Sequence, residues 1–380
     1  MAIYLDFAAA TPLDAQVEQA MRPYLKNAFF NPSADYLAAR KVKKDISAAR
    51  ARVAAILGAK PSEIIFTAGG SEANNLAIKG VMDLYPKSNV VVSAIEHESV
   101  LAPARNYESR EVSVSHDGLI DLEHLSRQID DRTVLVSIMY ANNEVGTIQP
   151  LRQVARLIEQ IRNERLKAGN NALPLLLHSD ACQAANFLDL HVSRLKVDLM
   201  SLNGGKIYGP KQSGVLYARS GLKLKPLIEG GGQEANLRSG TENVAGIIGF
   251  ATALSIAQEN RQIESLREAQ IRDYFAAALS ELFGAKIKIN GSTKSRLPNN
   301  LHVTFQGKDN ETLLIGLDQA GIMAASGSAC SAAKNVVASH VLLAMGLSEA
   351  EARSSLRFSL GRTSTRAQIE RTVRVLAALR

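Results

Sequence analysis

The stretch that decides the fold is Leu175-Leu176-Leu177-His178-Ser179-Asp180-Ala181-Cys182-Gln183. Its apolar half predicts a short buried strand, and its polar half places an acid where that strand ends. A carboxylate at the carboxyl end of a parallel strand faces the crevice in which such sheets bind ligands. We therefore expect Asp180 to belong to a binding site, although a helix-capping aspartate would give the same pattern.

Further apolar runs predict strands on both sides of this stretch, and amphipathic stretches predict helices between them. The strands are expected at 63–67, 90–93, 134–139, 173–177, 199–202 and 214–217, and the helices at 71–82, 99–107 and 151–168. Buried strands that alternate with helices are typical of an α/β domain with a mostly parallel sheet.

The pattern changes after the glycines at 230–232. A long helical pattern covers 244–282 and is followed by strand-like runs at 287–289, 301–305 and 356–360, with helical runs at 339–345 and 366–379. These elements predict a smaller C-terminal α+β domain. We expect an N-terminal segment, 1–15, that packs with the small domain, a large domain, 16–250, and a small domain, 251–380.

Composition narrows the class of protein. The chain has 380 residues, 46% of them hydrophobic, and no apolar run approaches the ~18 residues of a membrane span. With two cysteines and no secretion signal, the sequence predicts a cytoplasmic protein without a disulfide framework and without a membrane segment. The net charge of +7 favours acidic partners, nucleic acid among them, but a generally basic surface explains it equally well.

Three motifs together point to one chemistry. In Thr67–Asn75 a strand leads through Gly69 and Gly70 into a helix at Ser71, which predicts a cup for a phosphate, although an ordinary serine cap looks the same. Lys206 follows two glycines and can reach inward, although a solvated loop lysine would look the same. Asp180 can hold a pyridine nitrogen protonated. An acid, a Schiff-base lysine and a phosphate cup describe a pyridoxal phosphate site.

Other residues could complete such a site. His97 follows a buried strand and could stack on a cofactor and shuttle a proton, although a core or capping histidine would look the same. The Asn142-Asn143-Glu144 sequence could offer an amide to a cofactor oxygen, or it could simply form a turn. Arg357 lies inside an apolar strand pattern, where it could grip an α-carboxylate or form a structural ion pair. Cys330 lies among small residues, as suits an exposed nucleophile, whereas the position of Cys182 at a buried strand end predicts packing only.

These motifs resemble those of the group I cysteine desulfurases, pyridoxal phosphate enzymes of the fold type I, class V aminotransferase superfamily. The resemblance extends over nearly the whole chain. Its ordered motifs are Ile3-Tyr4-Leu5-Asp6, Asn31-Pro32-Ser33, Ser71-Glu72, Glu96-His97, Asn142-Asn143-Glu144, Asp180-Ala181-Cys182-Gln183, Lys206-Ile207-Tyr208-Gly209-Pro210, Arg238-Ser239-Gly240-Thr241, Ser326-Gly327-Ser328-Ala329-Cys330 and Arg357-Phe358-Ser359.

The resemblance implies a role for each matched residue. Lys206 would bind the cofactor covalently, Asp180 would face its ring nitrogen and His97 would stack on the ring. Gly70, Ser71 and Asn203 would lie near the phosphate, and Gln183 and Asn143 near the ring oxygen. Arg357, with Asn143, would bind the substrate. The family forms homodimers with shared active sites, so Thr241 would reach the cofactor of the other subunit. No metal is expected.

The implied reaction converts L-cysteine to L-alanine and leaves a persulfide on Cys330, which passes sulfur to an acceptor protein. Iron–sulfur assembly, tRNA thiolation and DNA phosphorothioation are the candidate pathways, and direct nucleic-acid binding has no support beyond the charge. The sequence departs from the family where Tyr36, Gly205 and Gln233 replace histidines and Asn203 replaces a serine. Two alternatives therefore stay open: a selenocysteine lyase-like enzyme and a weakly active scaffold that binds a partner.

Overall fold

The computed structural model describes residues 2–170, 172–327 and 338–379. Within them the strands are β1 (Ile3–Tyr4), β2 (Ile64–Thr67), β3 (Asn89–Ser93), β4 (Glu108–Val112), β5 (Thr133–Ser137), β6 (Leu176–Asp180), β7 (Leu199–Asn203), β8 (Gly214–Ala218), β9 (Ile287–Asn290), β10 (Asn300–Phe305), β11 (Ile322–Met323) and β12 (Ser355–Ser359). The α-helices are α1 (Ala15–Lys26), α2 (Leu37–Leu57), α3 (Gly70–Met82), α4 (Glu98–Ala104), α5 (Leu122–Gln128), α6 (Leu151–Lys167), α7 (Val192–Leu195), α8 (Val244–Phe283), α9 (Asn310–Gln319), α10 (His340–Ala344), α11 (Glu349–Arg353) and α12 (Arg366–Ala378). None of the helices in these ranges is both long enough and apolar enough to cross a membrane.

The large sheet has the strand order β2-β8-β7-β6-β5-β3-β4. Strands β3 to β7 are parallel, and β8 runs antiparallel to both β7 and β2. Successive side chains of a strand point to opposite faces, so Leu176 enters the core beneath α3 and α4, whereas Leu177 enters the core beneath α2, α6 and the start of α8. The predicted α/β fold with a mostly parallel sheet is confirmed.

His178 links the three central strands of this sheet. Its Nδ1 lies 2.8 Å from Oγ of Ser137 on β5, and its Nε2 lies 3.0 Å from Oγ of Ser201 on β7. Burial lowers the pKa of His178 to about 4, so the ring is neutral near pH 7 and can bridge two hydroxyls as one donor and one acceptor. This polar bridge lies two residues before the carboxyl end of β6.

A second sheet is built from C-terminal strands and contacts the N-terminal residues. Its strands β12, β10 and β9 are antiparallel, and the two-residue strands β1 and β11 pair beside them in parallel. The backbone N–H of Ser359 donates to the carbonyl of Leu5 at 2.7 Å. The first residues of the chain are therefore hydrogen-bonded to the C-terminal sheet.

Helix α8 is 40 residues long and is shared by two cores. Near its start, Phe250 and Leu254 are fully buried against the large sheet, whereas Phe275 and Leu279 near its end are buried against the second sheet. The predicted domain boundary near residue 250 lies inside this continuous helix. The division into three parts stays a prediction.

Glu268 is a buried carboxyl in the middle of α8, with 1% of its surface exposed. The charged groups around it are Arg267, Glu264 and Arg362. Burial raises the pKa of Glu268 to about 8, and the Arg267 charge opposes this shift only in part. The folded chain therefore holds a neutral carboxylic acid here at neutral pH.

We predict that Glu268→Gln becomes progressively more stable than the wild type as pH rises through this range. An unfolded glutamate titrates near pH ~4.3, so between that pH and about 8 the folded wild type binds more protons and loses up to ~1.4 kcal/mol of unfolding free energy per pH unit. The glutamine does not titrate. Denaturant unfolding at several pH values from about 5 to about 9 measures the difference.

Glu281→Gln is the matched control, because Glu281 is exposed on the same helix. Its stability should follow that of the wild type at every pH. A stability difference between Glu268→Gln and the wild type that stays constant across the range would contradict a raised pKa of Glu268 in the folded chain.

Candidate active site

One cavity of about 140 Å³ lies at the carboxyl ends of the central strands. Because parallel strands end at the same edge of a sheet, side chains that follow different strands meet there. The predicted site residues that line it are Gly70, Ser71, His97, Asn143, Asp180, Gln183, Asn203, Lys206 and Arg357. Thr241 is exposed and does not line this cavity, and Cys330 lies outside the described residues.

Asp180 ends β6 and is 7% exposed. Its Oδ2 accepts a hydrogen bond from Nδ2 of Asn74 at 2.7 Å, and its Oδ1 accepts one from the backbone N–H of Cys182 at 2.9 Å. Two donors thus hold the carboxylate in one orientation at the cavity wall. Such an oriented, buried carboxylate favours a cationic or N–H partner.

Lys206 lies in the short 3₁₀ turn Gly204–Lys206 that follows β7. Its Nζ donates to the carbonyl oxygens of Ala8 at 2.9 Å and Ala9 at 2.6 Å. Gln183 donates to the same Ala8 carbonyl at 2.9 Å. The N-terminal segment therefore forms one wall of the cavity and positions its amine.

Arg357 enters the cavity from the second sheet and is 2% exposed. Its Nη2 donates to Oδ1 of Asp6 at 2.7 Å, and its Nη1 donates to the carbonyl of Asn143 at 2.9 Å. Its Nε has no hydrogen-bond partner within the described part of the chain. The guanidinium is thus oriented by two partners, and these use only two of its five N–H donors.

Four residues of this region were not predicted to belong to the site. Asn74 and Ser99 line the cavity, Asp6 pairs with Arg357, and Cys182 lines the wall although we predicted packing alone. Burial, with the Asp180 charge as a second cause, raises the pKa of the Cys182 thiol well above its usual value, so this thiol stays protonated and is a poor nucleophile. The position of Asn74 on the buried face of α3, three residues after Ser71, was the available signal.

Comparison with known proteins identifies the family. The model of the aminotransferase class-V family matches residues 3–372. The cysteine desulfurase IscS of Dictyoglomus turgidum is 39% identical over 383 aligned positions, which cover 98% of this chain and 93% of that protein. The chain belongs to the cysteine desulfurase family. Members of this family depend on pyridoxal phosphate, so this is a pyridoxal phosphate-dependent enzyme.

Three solved structures are similar to this chain in both fold and sequence. A NifS-like protein superposes with a TM-score of 0.91 at 32% identity and covers 100% of this chain and 99% of its own. SspA in complex with cysteine gives 0.80 at 34% identity, over 94% of this chain and 98% of its own. DndA from Streptomyces lividans gives 0.74 at 30% identity, over 92% and 98%.

The anion end of the cavity fits the phosphate of the family's cofactor. Helix α3 begins at Gly70 without a side-chain cap, so its positive end is available to an anion. A Cβ on Gly70 would lie 2.6 Å from Sγ of Cys182 and 3.3 Å from Cβ of Asn203, and so would fill the cup. Nδ2 of Asn203 lies 3.5 Å from that point, which places an amide donor beside the cup.

We predict that Gly70→Ala weakens pyridoxal phosphate binding about tenfold, equivalent to ~1.4 kcal/mol, because the new methyl group collides with Cys182 and narrows the cup. The double variant Gly70→Ala/Cys182→Ala removes the sulfur and should recover part of the affinity. Titration of the cofactor-free proteins with pyridoxal phosphate measures both values.

Cys182→Ala alone is the control and should bind the cofactor as the wild type does. Melting temperatures of the cofactor-free variants separate a local collision from global destabilisation. Equal losses of affinity in Gly70→Ala and in the double variant would contradict the proposed collision.

Proposed function

We propose that this protein is a cysteine desulfurase that converts L-cysteine to L-alanine and transfers the sulfur through Cys330 to an acceptor protein. The observation that supports this most directly is the convergence of Lys206, Asp180, Arg357 and the start of α3 on one cavity. An amine, an oriented carboxylate, a carboxylate-binding guanidinium and an anion cup are the groups that pyridoxal phosphate chemistry on an amino acid requires.

In this proposal each end of the cofactor has its own partners. Gly70, Ser71 and Asn203 would hold the phosphate, Asp180 would face the ring nitrogen, and Lys206 would attach the cofactor covalently. Gln183 and Asn143 would be the partners of its ring oxygen, and His97 would stack on the ring. When bound, the cofactor would stabilise negative charge at the substrate Cα, which is the chemistry that no side chain of the cavity can supply.

Arg357 would bind the substrate carboxylate. Asp6 and the Asn143 carbonyl already fix the plane of its guanidinium, so little ordering remains to be done when substrate arrives. A guanidinium has five N–H donors, and the substrate would bind those that Asp6 and the Asn143 carbonyl leave unused, so it need not displace either partner.

Sulfur transfer would use the thiolate of Cys330. It would attack the sulfur of the bound cysteine, so that a new S–S bond forms and the substrate C–S bond breaks. The electron pair of the broken bond stays with the carbon, which takes up a proton and leaves as alanine. The acceptor protein would then take the outer sulfur from Cys330 by a second attack on the persulfide.

The proposal includes a homodimer in which Thr241 reaches the cofactor of the other subunit. Thr241 is exposed and lies outside the cavity of its own chain, which agrees with a role toward a second copy. Phe29 is 70% exposed and stacks on Phe30, which also contacts Tyr36. This aromatic surface supports association, because exposed apolar patches mark interaction sites.

We further propose a cytoplasmic acceptor that serves sulfur modification of nucleic acid, in DNA phosphorothioation or tRNA thiolation, in preference to iron–sulfur assembly. The net charge of +7 supports a partner with acidic surface or bound nucleic acid. Transfer of ³⁵S from L-cysteine to candidate acceptors of each pathway tests this choice. Labelling of an iron–sulfur scaffold protein alone would contradict it.

We predict that Cys330→Ala lowers alanine formation from L-cysteine by on the order of 100-fold or more, because the sulfur loses its nucleophile. The variant should keep the absorption of lysine-linked cofactor near roughly 420 nm. Cys182→Ala is the matched control and should keep its activity, since the Cys182 thiol stays protonated. Full alanine production without Cys330 would favour the selenocysteine lyase-like alternative, and a wild type that cannot bind the cofactor would favour the scaffold.

We predict that Arg357→Lys raises KM for L-cysteine about tenfold or more, because lysine cannot reproduce a planar pair of donors. Steady-state kinetics at saturating cofactor measure the change. Arg353→Lys, at an exposed position of α11, should leave KM unchanged. An unaltered KM in Arg357→Lys would assign the substrate carboxylate to another residue.

A further inference from the structure

We infer that Asn74 and Ser99 are positioning residues that hold His97 as the neutral tautomer with its proton on Nε2, and that they connect this ring to Asp180. The inference deepens the proposed function, because it specifies the tautomer of the ring that would stack on the cofactor. Its catalytic meaning rests on that proposed function. It depends on four side chains and one backbone amide that form a continuous hydrogen-bonded chain.

The backbone of Ser99 determines which nitrogen of His97 carries the proton. Its N–H donates to Nδ1 of His97 at 3.1 Å. A backbone amide can only donate, so Nδ1 must be the acceptor and the proton of the neutral ring must lie on Nε2. Within the described part of the chain, no residue hydrogen-bonds to that Nε2, and His97 lines the cavity.

The amide of Asn74 determines the direction of the remaining bonds. A single nitrogen, Nδ2, lies 2.7 Å from Oδ2 of Asp180 and 2.8 Å from Oγ of Ser99. An ionised carboxylate only accepts, so the atom facing Asp180 is the NH₂ group, and its second hydrogen is directed at Ser99. The Ser99 hydroxyl accepts that hydrogen and sends its own to Nδ1 of His97, 2.8 Å away.

Burial of Asn74 leaves one of its polar atoms without a hydrogen bond. It is 1% exposed, and its Oδ1 has no hydrogen-bond partner among the residues that the structure describes. A buried acceptor without a partner is unfavourable, so the two hydrogen bonds from Nδ2 are the contribution of this side chain. An asparagine that only filled space could be replaced by an apolar residue without this loss.

These contacts determine whether His97 donates or accepts a hydrogen bond in the cavity. Two donors point at Nδ1, one from the backbone and one from the hydroxyl, so a second proton on the ring would have to displace both. His97 therefore presents an N–H to the cavity rather than a lone pair. In the proposed reaction it can donate a hydrogen bond or a proton from Nε2, and it must give up that proton before it can accept one.

The chain contains its own comparison. At the start of α7, Oγ of Ser193 lies 2.9 Å from Nδ1 of His191, in the same spacing as Ser99 and His97. This histidine receives no side-chain capping bond from the helix backbone, and the pair lies away from the cavity. The extra elements at His97 are the backbone donor and Asn74, and these are the elements whose effect can be measured.

The test is ¹⁵N NMR of protein labelled at histidine, recorded near neutral pH on the cofactor-free and the cofactor-bound forms. The His97 ring is assigned from the signals that are lost in His97→Gln. The wild type should show one protonated nitrogen, Nε2, and one unprotonated nitrogen, Nδ1. A His97 ring with its proton on Nδ1 would overturn the inference.

Asn74→Asp preserves shape and removes the hydrogen that points at Ser99. Two carboxylates at a 2.7 Å contact cannot both be ionised, so the new carboxyl group would share one proton with Asp180, and it would accept the hydroxyl hydrogen of Ser99. The Ser99 backbone N–H still donates to Nδ1, so the His97 proton should stay on Nε2 while the Nδ1 signal moves toward that of a ring nitrogen without a partner. The double variant Asn74→Asp/Ser99→Ala also lacks the hydroxyl donor and should give the same His97 signals as Ser99→Ala. Identical His97 spectra in the wild type and Asn74→Asp would overturn the inference.

Ser99→Ala keeps the test open if the new carboxylate prevents folding. This variant retains the backbone donor but removes one hydrogen bond, so the Nδ1 signal of His97 should move toward that of a ring nitrogen without a partner. Ser193→Ala is the control and should change His191 alone. No movement of the His97 signals in Ser99→Ala would overturn the inference.

Kinetics separate this inference from the proposed function. Ser99→Ala, which leaves the bond from Asn74 to Asp180 in place, should lower kcat for alanine formation about tenfold and change KM less than about twofold, because the ring acts on bound substrate. A wild type with the expected His97 tautomer but without desulfurase activity would refute the proposed function and leave the positioning role standing. An active wild type with the His97 proton on Nδ1 would refute the positioning role and leave the proposed function standing.

Discussion

The cavity depends on two carbonyl oxygens, those of Ala8 and Ala9, which bind the amine of Lys206. A charged amine in a partly buried place needs acceptors in fixed positions, and a backbone carbonyl supplies them only if its segment cannot move. The N-terminal segment is fixed at both ends. Strand β1 pairs with β11 at its start, and at its end the Asp14 carboxylate binds Arg362 at 2.8 Å. The position of the lysine therefore depends on contacts made far from it along the chain.

The strands of the large sheet could be predicted because each is a short apolar run that ends in a turn or a polar residue. The predicted and observed strand ends differ by a few residues at most, as in the run predicted at 134–139 and observed as Thr133–Ser137. Strand β4 was not predicted. It is an edge strand that contains Glu108 and Arg110, so burial on both faces, which makes the other strands apolar, does not act on it. The two-residue strands β1 and β11 are too short to have a pattern.

The site was predictable where a strand end or a glycine turn marked it, as at Asp180, Gly70 and Lys206. The supporting residues were not, because their function comes from neighbours that are distant in sequence. Asn74 contacts Asp180 across 106 positions, and Asp6 contacts Arg357 across 351. A single asparagine or aspartate in a sequence does not indicate such a partner. For Cys182 we predicted packing in a buried strand end, whereas the residue is partly exposed and lies on the cavity wall.

Helix α8 connects the two sheets whose residues line the cavity. Its 40 residues form a rod about 60 Å long that is buried in one core at its start and in another near its end. Asp180 belongs to the sheet above the first core, and Arg357 belongs to the sheet above the second. The distance between the acid and the guanidinium is therefore set in part by the packing of one continuous helix, whose buried residues lie outside the cavity. Evolution can thus adjust the fit of a substrate through core residues that never touch it, and neither core can be changed as an independent module.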